Sequence, residues 1–183
     1  MRLPSVLDVT HLPLAEQCAV RLDGDGFALG DGIIAADEPD GPAQRAASLA
    51  GAASALDLVL GGWSAAWVHG ATDRLRRPLD LQLGAHGEAR TKRIDVRAVV
   101  LDAREVERLG GVRVTTPFRT ATDLARREAR LDPESLEALR TLIRLSRCTW
   151  PQAVGLLAGS PASPGKGRAL ARFRALRDGS VPR

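Results

Sequence analysis

Cysteine and aromatic side chains are scarce in this chain of 183 residues, which has two cysteines and 3% aromatics. Cys18 and Cys148 stand far apart and outside any CxxC pair, which excludes a disulfide scaffold and a zinc knuckle. So few aromatics leave no set of rings for stacking nucleic-acid bases. Three scattered histidines show no ligand spacing, so neither a metal nor any other cofactor is expected. No run of 18 apolar residues occurs, which excludes a spanning helix and a membrane partner. The N-terminal stretch carries carboxylates and no long apolar core, unlike a secretory signal. GxSxG, phosphate-loop and HExxH patterns are missing as well. A reduced, cytoplasmic, globular protein is expected, and its mean hydropathy of −0.10 suits that class.

Charge is distributed unevenly. Residues 1–70 hold three arginines against nine carboxylates, whereas residues 71–183 hold 23 basic groups against 13 acidic ones. Such asymmetry points to an anionic partner at one end. Only Lys92 and Lys166 are lysines; the other basic residues are arginines, the side chain suited to phosphate forks. A GC-rich genome would produce the same bias.

Periodicity places the elements. Leu14, Cys18 and Leu22 form one helical stripe, ended by Asp23-Gly24-Asp25-Gly26. Two short apolar runs around Gly30-Asp31-Gly32 read as a β-hairpin. An Ala-rich helix is expected from Ala43 to about Leu56, with Pro42 in its first turn. Ser64 reads as the N-cap of a short helix closed by Gly70, with Trp63 and Trp67 as core anchors. Leu79–Leu83 alternates strictly, residues 94–100 do the same, and Val112–Val114 follows a Gly-Gly turn. Thr116-Pro117, Asp132-Pro133 and Thr149 open three further helices. The second of these turns Leu136, Leu139, Ile143 and Leu145 inward. A last helix, Lys166 to Arg177, carries Leu170, Phe173 and Leu176 on one side.

Enzymatic patterns are weak. Pro78-Leu79-Asp80 with Glu88-Ala89-Arg90 only approximates the carboxylate pair of a metal-dependent nuclease, since Arg90 stands where a lysine belongs. Asp80 and Glu88 are retained as that rival reading. His69, at a helix end, is expected to satisfy last-turn carbonyls as an imidazolium. Arg168, Arg172, Arg174 and Arg177 surround the apolar stripe of the last helix, which should turn their guanidinium groups outward, toward DNA phosphates.

The runs SAAWVHGA, PLDLQL and VRVTTPFRTATDLARREA resemble the AbiEi family antitoxins of bacterial type IV toxin–antitoxin systems, over about residues 60–130. Trp67, His69 and Gly70 match the family's tryptophan helix, and Thr116, Pro117, Arg119, Thr120 and Asp123 match its RTxxDLAR element. Arg119 and Asp123, four apart, are placed to pair or to hold neighbouring backbone. The resemblance implies a regulator that counteracts a nucleotidyltransferase-type toxin and represses its own operon by binding DNA through an N-terminal winged helix. Only 26 residues precede the hairpin, and it has no arginine, so the winged helix is expected to be a remnant and any DNA contact to lie on the C-terminal helices. A pure protein-binding module is the other alternative.

The expected fold class is α+β: a small mixed sheet flanked by helices. Residues 1–40 should form a truncated winged-helix-like unit, 41–130 an α/β core, and 131–183 a basic helical region.

Overall fold

A computed structural model describes residues 6–8, 12–54, 58–83, 94–98 and 101–180. It begins with β1 (Val6–Asp8), α1 (Leu14–Leu22) and the hairpin β2 (Gly26–Leu29) and β3 (Gly32–Ala35). The hairpin stands where sequence places it, but β1 extends it to a three-stranded antiparallel sheet of order β1-β3-β2. A three-residue strand carries too little alternation to be read alone. The stripe on α1 is not a core face: Leu14 is 75% and Leu22 86% exposed, and Cys18 is exposed too.

The Ala-rich helix is two helices, α2 (Pro42–Ala47) and α3 (Ala50–Ser54), and not one. Ser48 breaks it. Its hydroxyl donates back to the Arg45 carbonyl, and its own carbonyl accepts from Asp31 N–H in the hairpin turn instead of continuing the ladder. Helix propensity yields here to a tertiary hydrogen bond.

A five-stranded mixed sheet follows, built from β4 (Val59–Leu60), β5 (Leu79–Leu83), β6 (Ile94–Ala98), β7 (Val106–Leu109) and β8 (Val112–Thr115), in the order β6-β5-β4-β8-β7. Two strands escape the periodicity, β4 and β7. The central strand β4 is only two residues long, paired antiparallel to β5 and parallel to β8. The hairpin β7–β8 turns at Gly110-Gly111, both at positive φ, as a two-residue turn between twisted strands requires. Residues 99–100 of the expected second strand lie outside the described residues.

Alternation gives the large sheet two unlike faces. Leu60, Leu79, Leu81, Val112 and Val114 join Leu29, Ile34, Leu49, Trp67 and Val68 in one buried cluster. A second cluster lies among the C-terminal helices α5 (Pro117–Arg127), α6 (Pro133–Leu145), α7 (Trp150–Gly159) and α8 (Lys166–Arg177). Between the clusters runs α4 (Gly62–Val68), all of whose residues are buried. Its Trp63 and Ala66 enter the helical cluster, and its Ala65, Trp67 and Val68 enter the other. Both tryptophans are core anchors, as expected, at 6% and 4% exposure. Each also has a guanidinium over its ring, Arg76 on Trp63 and Arg45 on Trp67.

The expected caps of the three later helices are present. Thr116, Asp132 and Thr149 each accept a backbone N–H in the first turn, and Thr149 forms a reciprocal capping box with Gln152. Leu136, Leu139 and Ile143 are buried as read, whereas Leu145, the last residue of α6, is exposed, since two residues past Ile143 it has turned about 200° away from it.

Candidate functional site

Ser64 does not cap α4. The helix starts two residues earlier, at Gly62, where φ is positive. Asp80, from β5, supplies the cap: its Oδ2 accepts the Trp63 N–H at 2.8 Å, while its own N–H donates to Ser64 Oγ at 2.9 Å. A Cβ at position 62 would lie 2.9 Å from the Asp80 Cγ, so this junction needs glycine. The carboxylate of the rival nuclease reading therefore holds a helix to a strand. Its companion Glu88 lies outside the described residues.

His69 ends α4 with its ring buried. Its Nε2–H donates to the Thr115 carbonyl at 2.7 Å, which corrects the expectation that it serves its own helix as an imidazolium. Burial lowers its pKa, with the Thr115 carbonyl and the Glu107 carboxylate, 3.9 Å away, opposing more weakly. Burial thus favours the neutral form of the ring. Gly70 follows at positive φ and closes the helix.

The second face of the sheet is polar, and the RTATDLAR helix packs on it. Thr115 and Thr120 share a hydroxyl–hydroxyl hydrogen bond of 2.7 Å, and Thr120 Oγ1 also donates to the Thr116 carbonyl. Arg119 and Asp123 pair as their spacing allows, Nε to Oδ2 at 3.1 Å. The same Oδ2 accepts from Gln82 Nε2 at 3.0 Å. Arg119 Nη1 donates to Glu105 at 2.6 Å. Asp123 is 2% and Arg119 6% exposed, so the motif ties β5, α5 and the 3₁₀ turn Ala103–Glu105 together through buried charge.

Gln82 and Glu105 are parts of this seam that the motif does not announce. Signals for both exist. In LDLQL the polar residues Asp80 and Gln82 share one face, and Asp102-x-x-Glu105 is a capping box, seen here closed in both directions. Arg126 and Arg127 complete the surroundings of Asp123, each 3.8 Å from its carboxylate. Beyond them opens a cleft of about 900 Å³ between the 3₁₀ turn, the end of α5 and the loop 160–164. Lys166 fastens that loop by donating to the Ala158 and Ser160 carbonyls.

The four arginines of α8 do not act as a set. Arg172 is 2% exposed and turned inward, contrary to the expected outward fork. Its guanidinium donates to the carbonyls of Ala125, Glu128 and Ala129 at 2.7–3.1 Å. Those carbonyls lie in the last turn of α5 and just past it, so Arg172 completes its C-terminus. Burial lowers the Arg172 pKa, and Arg168 adds to the effect. Arg168 is exposed and reaches the Arg126 carbonyl. Arg177 pairs with Asp178. Arg174 is exposed, with no hydrogen bond or ion pair from its side chain among the described residues.

Among the described residues no group of three or more His, Cys, Asp or Glu is arranged to hold a metal ion, and no helix is long and apolar enough to cross a membrane. Residues 52–169 match the family model described as the AbiEi antitoxin C-terminal domain. The match encloses the residues that carry the resemblance, 60–130, and continues through α6 and α7 into α8. No curated protein matches the chain.

Proposed function

The chain belongs to the AbiEi antitoxin family, and from that membership we propose that it counteracts a nucleotidyltransferase-type toxin of a type IV system in the cytoplasm. It is an antitoxin of a toxin–antitoxin system, a regulatory kind of protein. The observation that carries the reading is the match over residues 52–169, which takes in the whole five-stranded sheet and the helices packed on its polar face. The side chains best suited to acid–base or metal chemistry have architectural work instead. His69 anchors α4 to β8, Asp80 caps α4, and Asp123 joins β5 to α5. This supports a non-enzymatic role.

Co-expression tests it. The product of the adjacent gene, if nucleotidyltransferase-like, should arrest growth alone and cease to do so when this chain is co-expressed. Growth arrest that persists at full expression of the folded chain overturns the reading. Plasmid cleavage with magnesium or manganese, lost on Asp80→Ala, would instead establish the nuclease.

A second reading, repression of its own operon, rests on the exposed arginines of α8. Arg168 and Arg174 carry it, with Arg177 contributing when its bridge to Asp178 opens. Arg172 has no part in it. In a salt titration of binding to upstream DNA, Arg168→Ala with Arg174→Ala should flatten the logarithmic slope by about two units, one per phosphate contact. An unchanged slope moves the contact elsewhere, and no binding by wild type leaves a protein-binding antitoxin.

A further inference from the structure

The cleft beside Asp123 carries three cations, Arg104, Arg126 and Arg127, whose side chains donate no hydrogen bond among the described residues. Arg126 and Arg127 lie 3.8 Å from the Asp123 carboxylate, beyond hydrogen-bond reach. That carboxylate already accepts from Arg119 and Gln82. The other two carboxylates of the lining are engaged as well. Asp102 caps the 3₁₀ turn, and Glu105 accepts from Arg119 and from the Asp102 N–H. The Arg104 guanidinium, exposed at the rim, takes no partner among the described residues.

Two buried polar atoms of the same lining are orphans, Arg126 Nε and Ser163 Oγ. A buried donor without a partner is costly, and native structures rarely keep one without reason. The Arg126 side chain is 16% exposed. Burial lowers its pKa; the Asp123 carboxylate and, less, Glu105 oppose this, while the Arg119 and Arg127 charges push the same way as burial. An anion entering here would offset the Arg119 and Arg127 charges and meet guanidinium donors of the lining that have no hydrogen-bond partner. The loop that closes the far side is held against α5, since Gly165 abuts Arg126 so tightly that a Cβ there would lie 3.2 Å from its backbone oxygen. Leu101, Pro161 and Ala162 supply an apolar wall.

We propose that this cleft binds a small phosphorylated ligand, its phosphate oxygens taken by Arg126, Arg127 and Arg104 with the Ser163 hydroxyl, and its apolar remainder laid on Leu101 and the loop 160–164. The volume of about 900 Å³ suits a ligand of nucleotide size. Planar guanidinium forks match phosphate bidentately, and three of them offer more charge than a single carboxylate would neutralise. The proposal stands apart from the antitoxin reading and does not need the toxin.

Isothermal titration of the full chain in a phosphate-free, low-salt buffer tests it, with pyrophosphate, ATP and adenosine as probes. Saturable one-to-one binding of ATP and pyrophosphate is expected, with none for adenosine. Arg104→Ala with Arg127→Ala should weaken ATP at least tenfold. Arg140→Ala with Arg144→Ala, on α6 and outside the lining, should leave it unchanged. No saturable binding, equal affinity in the cleft variant, or equal loss in both variants overturns the proposal. Hydrogen exchange on the wild type gives a reading independent of any variant. ATP should protect the amides of residues 101–105 and 162–163, and protection elsewhere only is equally fatal to the idea.

Discussion

The carboxamide of Gln82, next to the last residue of β5, donates to the carboxylate of Asp123, in the middle of α5, across 3.0 Å. Both side chains are buried, at 1% and 2% exposure, and together with the Thr115–Thr120 hydrogen bond they fix how the helix lies on the sheet. The backbone makes room for it. Gly61 leaves the space beside Gln82, where any Cβ would collide with the carboxamide.

Gln82→Leu should therefore cost about 2 kcal/mol in urea unfolding, the penalty of removing a donor from a buried charged acceptor. Asp123→Ala should cost more, about 3–5 kcal/mol, because Arg119 stays buried with Glu105 as its one hydrogen-bonded carboxylate. Replacing both partners, Arg119→Met with Asp123→Leu, should recover part of that loss. Additive costs in the double variant would sink the account.

Arg172→Ala should destabilise by about 3 kcal/mol, since three carbonyls at the end of α5 lose a charged donor. Arg172→Lys should rescue little, because an ammonium lacks the planar fork that reaches all three. The loss should be nearly the same at low and high salt, as screening hardly enters a buried site. A strong salt dependence would place this guanidinium in solvent.

His69 makes stability depend on pH. Its pKa is lowered in the folded state by burial, so the unfolded chain binds the proton first as pH falls. Its contribution is complete above the ordinary histidine pKa, about 6.5, and is lost as pH drops from there toward the folded value. Urea midpoints measured from about pH 8 down to about pH 5.5 should decline in wild type and decline less in His69→Gln. Parallel curves would assign the dependence to another group.

Gly110→Ala should be far worse than Gly111→Ala. Both glycines have positive φ, so either substitution incurs backbone strain of about 1 kcal/mol. Only at Gly110 does the new Cβ collide with backbone, at the Ala43 carbonyl of α2; at Gly111 nothing lies within 4 Å. Thermal unfolding of the two variants decides it, and equal losses would mean that the hairpin does not pack on α2.

What could be read from the residues was what is local. The alternation in LDLQL, the Thr116-Pro117 cap and the hairpin at Gly30-Asp31 each rest on a few neighbouring residues, and each is found. The α+β class and the family followed from them. What could not be read depends on a distant partner. The break at Ser48 needs the hairpin turn, the true start of α4 needs Asp80, and the inward turn of Arg172 needs the end of α5. An arginine among arginines on a basic helix looks like surface until the carbonyls facing it are known.

The two-residue strand β4 bears on how the chain comes together in time. Val59 and Leu60 pair with Gln82 and Leu81 on one side and with Arg113 and Val114 on the other. The centre of the sheet is thus made early and waits for its parallel neighbour, which arrives only when β8 has been synthesised. Hairpin β7–β8 can close by itself, but it has nothing to dock on until β4 is held. Sheets joined by such distant pairings fold slowly, because loop closure precedes any reward from the contacts. The nascent chain therefore passes through an interval in which the apolar edge at Leu58–Leu60 is uncovered, and crowding of ribosomes on one message should raise its aggregation more than that of a protein assembled from successive hairpins.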